Sequence, residues 1–139
     1  MQVCILYCGA DQHSKLKSLA DSIAIGISKN GHQTAVLNAL VDTDKRLTIY
    51  DYIVVLSEPI SLFSAKTPGY IVKFLENAGQ VSGKRCACAI SGGIRKNKAL
   101  LNLMRDVESQ GIIIKISEII KNSGEAVAFG SHLKVERNY

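Results

Sequence analysis

The sequence predicts an α/β fold in which helices cover both faces of one five-stranded parallel sheet, a three-layer, doubly wound arrangement. Short apolar runs typical of buried strands alternate with stretches whose apolar residues recur every three or four positions, as on one face of a helix. Glycine or proline stands at most of the boundaries between them. Because no connection is longer than about a dozen residues, we expect residues 1–139 to form a single domain.

The first half of the chain contains three predicted strands and one helix. Residues 2–7 are apolar without alternation, which indicates a central strand covered on both faces. Leucine, isoleucine and alanine then recur at helical spacing over residues 16–27, and a glycine follows as a helix stop. Residues 32–40 alternate polar and apolar side chains, as on a half-covered edge strand. After a polar link, residues 50–56 form a third strand, which Pro59 ends because proline lacks the N–H that a strand ladder needs.

The second half alternates helices and strands more evenly. A Pro-Gly pair opens a helix over residues 70–78, and a glycine ends it. Residues 84–90 form the fourth strand, and residues 96–110 form a long helix with one apolar face. The fifth strand covers residues 112–116, and the last helix covers residues 124–135.

The order of the strands follows from their patterns and from the right-handed crossovers of parallel sheets. The order 2-1-3-4-5 places the alternating second strand at an edge and the apolar first strand inside the sheet. The winding direction then reverses between strands one and three, and ligands of such sheets bind at the carboxyl ends beside this point. The candidate site therefore comprises three loops, named here the first loop (9–15), the second loop (57–67) and the third loop (91–97).

The composition indicates a soluble protein with a core of ordinary size. Apolar residues make up 47% of the 139 residues. The longest apolar runs are about six residues, far shorter than the roughly 20 that cross a membrane. No charged and then apolar leader follows Met1. We therefore expect a cytoplasmic protein without a membrane segment.

The net charge of +5, from 17 lysines and arginines against 12 acidic residues, favours partners with acidic surfaces. The densest cationic cluster, Arg95, Lys96 and Lys98, is short and has no aromatic neighbours on which nucleic-acid bases could stack. The sequence therefore does not favour nucleic acid as a partner, and it leaves the oligomeric state open.

Several short motifs spread over nearly the whole chain resemble those of one protein family. They are L-A-D-S-I-A at 19–24, Y-D-Y-I-V-V-L-S-E-P at 50–59, V-K-F-L at 72–75, S-G-G at 91–93 and A-F-G at 128–130. The first is similar to the opening helix of flavodoxins, and the second to their third strand, in which Tyr-Asp precedes an apolar run that ends at a proline. On these motifs the chain resembles the flavodoxin family, which implies a flavodoxin-like α/β fold.

The resemblance to flavodoxins implies an FMN cofactor and a role in electron transfer or flavin-dependent reduction, with redox proteins as partners. The FMN phosphate would be held by the first loop, through Gly9, Ala10, Asp11, His13, Ser14 and Lys15. The isoalloxazine ring would lie between the other two loops, bordered by Pro59, Ser61, Phe63, Ser91, Gly92 and Gly93. Backbone N–H groups at the start of the first helix suit a phosphate in that position.

The candidate loops also differ from the family pattern. Ser14 is the only hydroxyl in a first loop that is normally rich in serine and threonine, and Asp11 would repel a phosphate if it pointed inward. Phe63 is the only aromatic residue of the second loop, where flavodoxins usually stack the flavin on aromatic side chains. Two interpretations of the first loop stay open, a phosphate seat or a plain helix start that Ser14 caps. The corresponding alternative function is a binding or scaffold domain that has lost flavin.

The four cysteines, Cys4, Cys8, Cys86 and Cys88, lie in strand-like segments without a C-x-x-C pair, so we expect buried free thiols. Cys8, followed by a loop and Ser14, is also similar to the cysteine-phosphate loops of low-molecular-weight phosphatases and sugar-transport phosphocarriers, in which a helix N-terminus lowers the thiol pKa. The arginine that clamps the phosphate in those phosphatases is missing, because Ser14 stands at its place. A phosphate-loop protein that uses Cys8 is the third alternative.

Overall fold

The computed structural model describes residues 1–9 and 15–136, and it confirms the predicted five-stranded parallel sheet with the order 2-1-3-4-5. Its strands are β1 Gln2–Cys8, β2 Gln33–Asn38, β3 Tyr52–Ser57, β4 Arg85–Ile90 and β5 Ile113–Ile119. Its helices are α1 Leu16–Ser28, α2 Tyr70–Glu76, α3 Lys96–Glu108 and α4 Ser123–His132. In the described part of the chain, none of them is both long and apolar enough to cross a membrane.

Helices cover the sheet on both faces, and β1 shows why its sequence is apolar throughout. Successive side chains of a strand point to opposite faces of the sheet. Leu6 packs on the face that α2 and α3 cover, together with Leu75. Ile5 packs on the other face, against Ile23 of α1 and Phe129 of α4. Both faces of β1 are therefore buried, as the uniformly apolar pattern predicts.

Several elements end at other residues than the sequence pattern predicts. Strand β5 continues to Ile119, past its predicted end at Ile116. The polar pair at 117–118 interrupts the apolar run there, but β5 is an edge strand and tolerates polar side chains on its solvent side. Helices α2 and α4 end earlier than predicted, at Glu76 and His132. Ala78 and Leu133, which follow them, are still buried but lie in irregular segments.

Helices α1 and α4 cross in close backbone contact at Gly26 and Gly130. A Cβ atom on Gly130 would stand 2.2 Å from the carbonyl oxygen of Ile23. A Cβ atom on Gly26 would stand 2.2 Å from the carbonyl oxygen of Val127. Only glycine, which has no Cβ atom, permits this approach. The two helices therefore form one tightly packed layer on their face of the sheet.

Candidate functional site

The carboxyl ends of β1, β3 and β4 meet at one edge of the sheet and are joined by hydrogen bonds. The buried Ser57 hydroxyl at the end of β3 donates to the carbonyl oxygen of Cys8 at 3.1 Å. The Ser91 N–H donates to the carbonyl oxygen of Ser57 at 3.0 Å. The first, second and third loops therefore begin side by side, as the strand order predicts.

Two residues of the predicted phosphate seat belong to the described residues, and the other four, Ala10, Asp11, His13 and Ser14, lie outside them. Gly9 is buried, and its carbonyl oxygen accepts a hydrogen bond from the Tyr70 hydroxyl at the start of α2. Lys15 is exposed and is the N-cap residue of α1. The start of α1 thus follows directly on the first loop.

The start of α1 is electrostatically suited to an anion. Its first turn contains no acidic residue, so no side chain there offsets the partial positive charge of the helix N-terminus. Lys17 donates to the Asp21 carboxylate one turn further along, at 3.0 Å, and this hydrogen bond and ion pair raise the Lys17 pKa. That contact directs the Lys17 ammonium along the helix, whereas Lys15 is an exposed cation at the start of α1 itself.

Two side-chain hydrogen bonds join the end of the second loop to α3. Asn102 donates through Nδ2 to the carbonyl oxygen of Ala65 at 2.9 Å. The Thr67 hydroxyl donates to the Asp106 carboxylate at 2.6 Å. Pro59 is buried beneath the loop. The end of the loop is therefore anchored to α3, while the predicted ring-binding side chains of Ser61 and Phe63 stay exposed.

The third loop turns through two consecutive glycines in the left-handed region, Gly92 at φ +81° and Gly93 at φ +80°. A Cβ atom added at Gly93 would lie 2.8 Å from Cγ of Pro59, so the third loop packs closely on the second at this point. The Cβ position of Gly92 has no atom within 4 Å. Within residues 1–9 and 15–136, the N–H groups of both glycines have no hydrogen-bond partner. The turn therefore presents two free backbone donors at the carboxyl edge of β4.

Four large apolar side chains are exposed where the second and third loops meet, and we name them the apolar loop surface: Ile60 (47% exposed), Leu62 (58%), Phe63 (73%) and Ile94 (62%). The Ile94 N–H donates to the carbonyl oxygen of Leu62 at 2.9 Å, which joins the two loops directly. The sequence-based prediction included Phe63 but missed Ile60 and Leu62. Large apolar residues in a loop between a strand and a helix are the signal that could have indicated them.

Cys8 does not have the surroundings of a thiolate nucleophile. Its side chain is fully buried, and burial, with smaller contributions from Cys88 and Cys4, raises the pKa of its thiol. A reactive cysteine needs solvent access and a lowered pKa. All four cysteines are buried and free, which confirms the expectation for them. The structure therefore gives no support to a phosphate loop at Cys8.

Comparison with known proteins relates the chain to flavodoxins by structure. No protein-family model and no curated protein sequence matches it. Among solved structures, a flavodoxin from the domain Archaea is 20% identical, with a TM-score of 0.74 over 94% of each chain. Flavodoxin 1 from Bacillus cereus is 15% identical, with a TM-score of 0.70 over 96% of this chain and 100% of that one.

A larger protein contains the same fold as one part. The Flv1 flavodiiron core from Synechocystis sp. PCC6803 is 17% identical, with a TM-score of 0.72 over 94% of this chain and 34% of that one. These structural matches show that the chain has a flavodoxin-like fold.

Proposed function

We propose that this chain binds FMN at its three loops and acts in electron transfer or flavin-dependent reduction. The observation that carries the proposal is the pair of free N–H groups at Gly92 and Gly93. They lie on the third loop, at the sheet edge where a flavodoxin-like fold binds its ligand. Such donors suit the polar edge of a flavin ring, which presents carbonyl oxygens and nitrogens as acceptors.

The residues present fit FMN as a cofactor that lies on one apolar surface. The start of α1, with Lys15 beside it, would hold the phosphate through backbone N–H groups and charge. Phe63 would contact the ring from the second loop, and Gly92 would bind its polar edge. When bound, the flavin supplies the redox chemistry, and the protein positions it and excludes water from one face.

A second candidate function is a flavin-free binding domain, and one contact favours it. The Ile94 N–H donates to the carbonyl oxygen of Leu62, so the second and third loops touch each other where flavodoxins usually hold the ring between them. A chain without flavin would keep the apolar loop surface for a different ligand or partner. The two candidates differ in one measurable property, the affinity for FMN.

The experiment is a titration of the purified, colourless chain with FMN and with riboflavin. Quenching of the flavin fluorescence reports binding. We expect FMN to bind at micromolar concentrations or below. Tighter binding of FMN than of riboflavin would support a phosphate contact at the first loop. No binding of FMN at micromolar concentrations would refute the proposal and leave the flavin-free binding domain.

Two matched glycine variants test the third loop. Gly92 and Gly31 both have positive φ and no atom within 4 Å of their Cβ positions, but Gly31 follows α1 at the opposite edge of the sheet. Gly92→Ala and Gly31→Ala should therefore cost similar stability. Alanine keeps the backbone N–H but disfavours the positive φ, so Gly92→Ala should shift the turn and misplace its donors. We expect only this variant to weaken flavin binding, by about tenfold, as for the loss of one hydrogen bond. Equal flavin affinity of the two variants would contradict the role of the third loop.

A further inference from the structure

A cluster of cations lies directly beside the apolar loop surface. It surrounds a surface cavity of about 440 Å³ between the start of α3 and the end of β5. The cavity is lined by Ile94, Arg95, Lys96, Asn97, Lys98, Ile119 and Lys121. Four of these seven residues are cations, from two segments that are distant in the sequence, and we name them the cationic rim: Arg95, Lys96, Lys98 and Lys121.

Ion pairs among the described residues do not neutralise the positive charge of the cationic rim. None of its four side chains forms an ion pair with residues 1–9 or 15–136, where the ion pairs are Lys17–Asp21 and Arg85–Glu136. The first turn of α3 has no acidic residue, so its helix dipole adds to the positive potential. Glu125 accepts from the Lys121 backbone N–H at 2.6 Å and offsets part of the charge there. The net positive potential is therefore concentrated at Arg95, Lys96 and Lys98.

The cationic rim and the apolar loop surface are one continuous face. Ile94 belongs to both, because it is exposed in the third loop and lines the cavity of the rim. An apolar centre with a polar, charged border is the usual arrangement of a protein–protein interface. A nucleic acid would favour several aromatic side chains for base stacking, whereas this face offers Phe63 among aliphatic neighbours. The composition of the face therefore favours a protein as its occupant.

We propose that this face, the apolar loop surface with its cationic rim, docks a partner protein through an acidic patch on that partner. Ile60, Leu62 and Ile94, which are not assigned to the flavin contact, provide the apolar contact area, and the cations orient and accelerate the encounter. The inference rests on the proposed function for one point, that the partner is a redox protein which must approach the flavin edge. Binding to the face itself does not require flavin.

Amide chemical-shift changes in the ¹⁵N-labelled chain test the docking face directly. The probes are a plant-type [2Fe–2S] ferredoxin, which is acidic, and cytochrome c, which is basic, each added to the FMN-treated and the untreated chain. We expect ferredoxin to shift amides in 60–63, 94–98 and around Lys121, with an affinity that falls as salt increases. Cytochrome c should leave these amides unchanged.

Charge-reversal variants distinguish binding at this face from attraction by the net charge of the whole chain. Lys96→Glu/Lys98→Glu places acidic residues at the start of α3, where the helix dipole favours them, so the variant should fold. Lys29→Glu/Lys45→Glu is the matched control, with the same change in net charge at exposed positions outside the face. We expect the first variant to bind ferredoxin about tenfold more weakly and the control to bind nearly as the parent does.

Four results would overturn the docking face: no shifts with ferredoxin, the same shifts with cytochrome c, equal weakening in both variants, or tighter binding of a short DNA duplex at the same amides. The flavin titration tests the proposed function independently of the docking face. A chain that binds FMN but not ferredoxin would refute the docking face alone. A chain that binds ferredoxin at this face but not FMN would refute the proposed function alone.

Discussion

Replacing Gly130 with alanine should separate helices α1 and α4 and destabilise the fold. The new Cβ atom would stand 2.2 Å from the carbonyl oxygen of Ile23, whereas ordinary contacts begin at 3.4 Å. The opposing atom belongs to the backbone of α1 and cannot rotate away. The helices must therefore move apart by about 1.2 Å at this point, which loosens the packing of Ile23 and Phe129 beneath the crossing.

The expected cost follows from two opposing effects. Overpacking of a close-packed interior costs roughly 1–3 kcal/mol, and a clash with backbone belongs at the upper end of that range. Alanine regains about 1 kcal/mol over glycine through its better helix propensity. We therefore expect Gly130→Ala to lower the free energy of unfolding by about 2 kcal/mol. In a chain of this size that corresponds to a fall in Tm of about 8 °C.

Urea unfolding followed by circular dichroism measures this loss, and Gly69→Ala is the matched control. Gly69 precedes α2 at φ −63°, and the position of its Cβ atom has nothing within 4 Å. The control should gain about 0.4–1 kcal/mol, because alanine restricts the unfolded chain without strain in the folded one. The double variant Gly26→Ala/Gly130→Ala should lose less than the sum of the two single losses, since both clashes lie in one crossing.

The reasoning would be refuted if Gly130→Ala changed stability as little as the control does. It would also be contradicted by strictly additive losses in the double variant. Either result would mean that α1 and α4 do not meet in backbone contact.

Three further changes have defined outcomes. Burial, and to a smaller extent Asp42, raises the pKa of the Cys4 thiol from 9.0 to about 12, so the unfolded chain loses this proton first as the pH rises. The free energy of unfolding should therefore fall above pH 9 by about 1.4 kcal/mol per pH unit for this thiol. Cys4→Ala should reduce that slope, measured by urea unfolding at pH 8 and 10.5. The Asn122 side-chain oxygen caps α4 by accepting from the Glu125 N–H at 2.9 Å. Asn122→Ala removes this cap and should lower the free energy of unfolding by about 1 kcal/mol in the same assay. Unchanged stability would contradict the cap. Ser14→Ala should weaken FMN by about 1 kcal/mol and leave riboflavin affinity unchanged, and an equal loss for both flavins would refute a phosphate contact at that residue.

The sequence alone determined the layout of the sheet and the edge at which the three candidate loops lie. The uniformly apolar β1 and the alternating β2 predicted a central and an edge strand, because burial on one or two faces directly selects side chains along a strand. Short connections and right-handed crossovers then left the order 2-1-3-4-5 as the simplest arrangement. That order placed the three loops at one edge of the sheet.

Only the tertiary structure decided which residues of those loops and helices meet. Three features of the site depend on distances between segments far apart in the sequence. They are the contact between Ile94 and Leu62, the free donors at Gly92, and the approach of Lys121 to the start of α3. The close crossing of α1 and α4 at Gly130 is of the same kind. Periodicity reports which face of an element is buried, but not how far a helix slides along its neighbour, and that position is set by packing of the whole core.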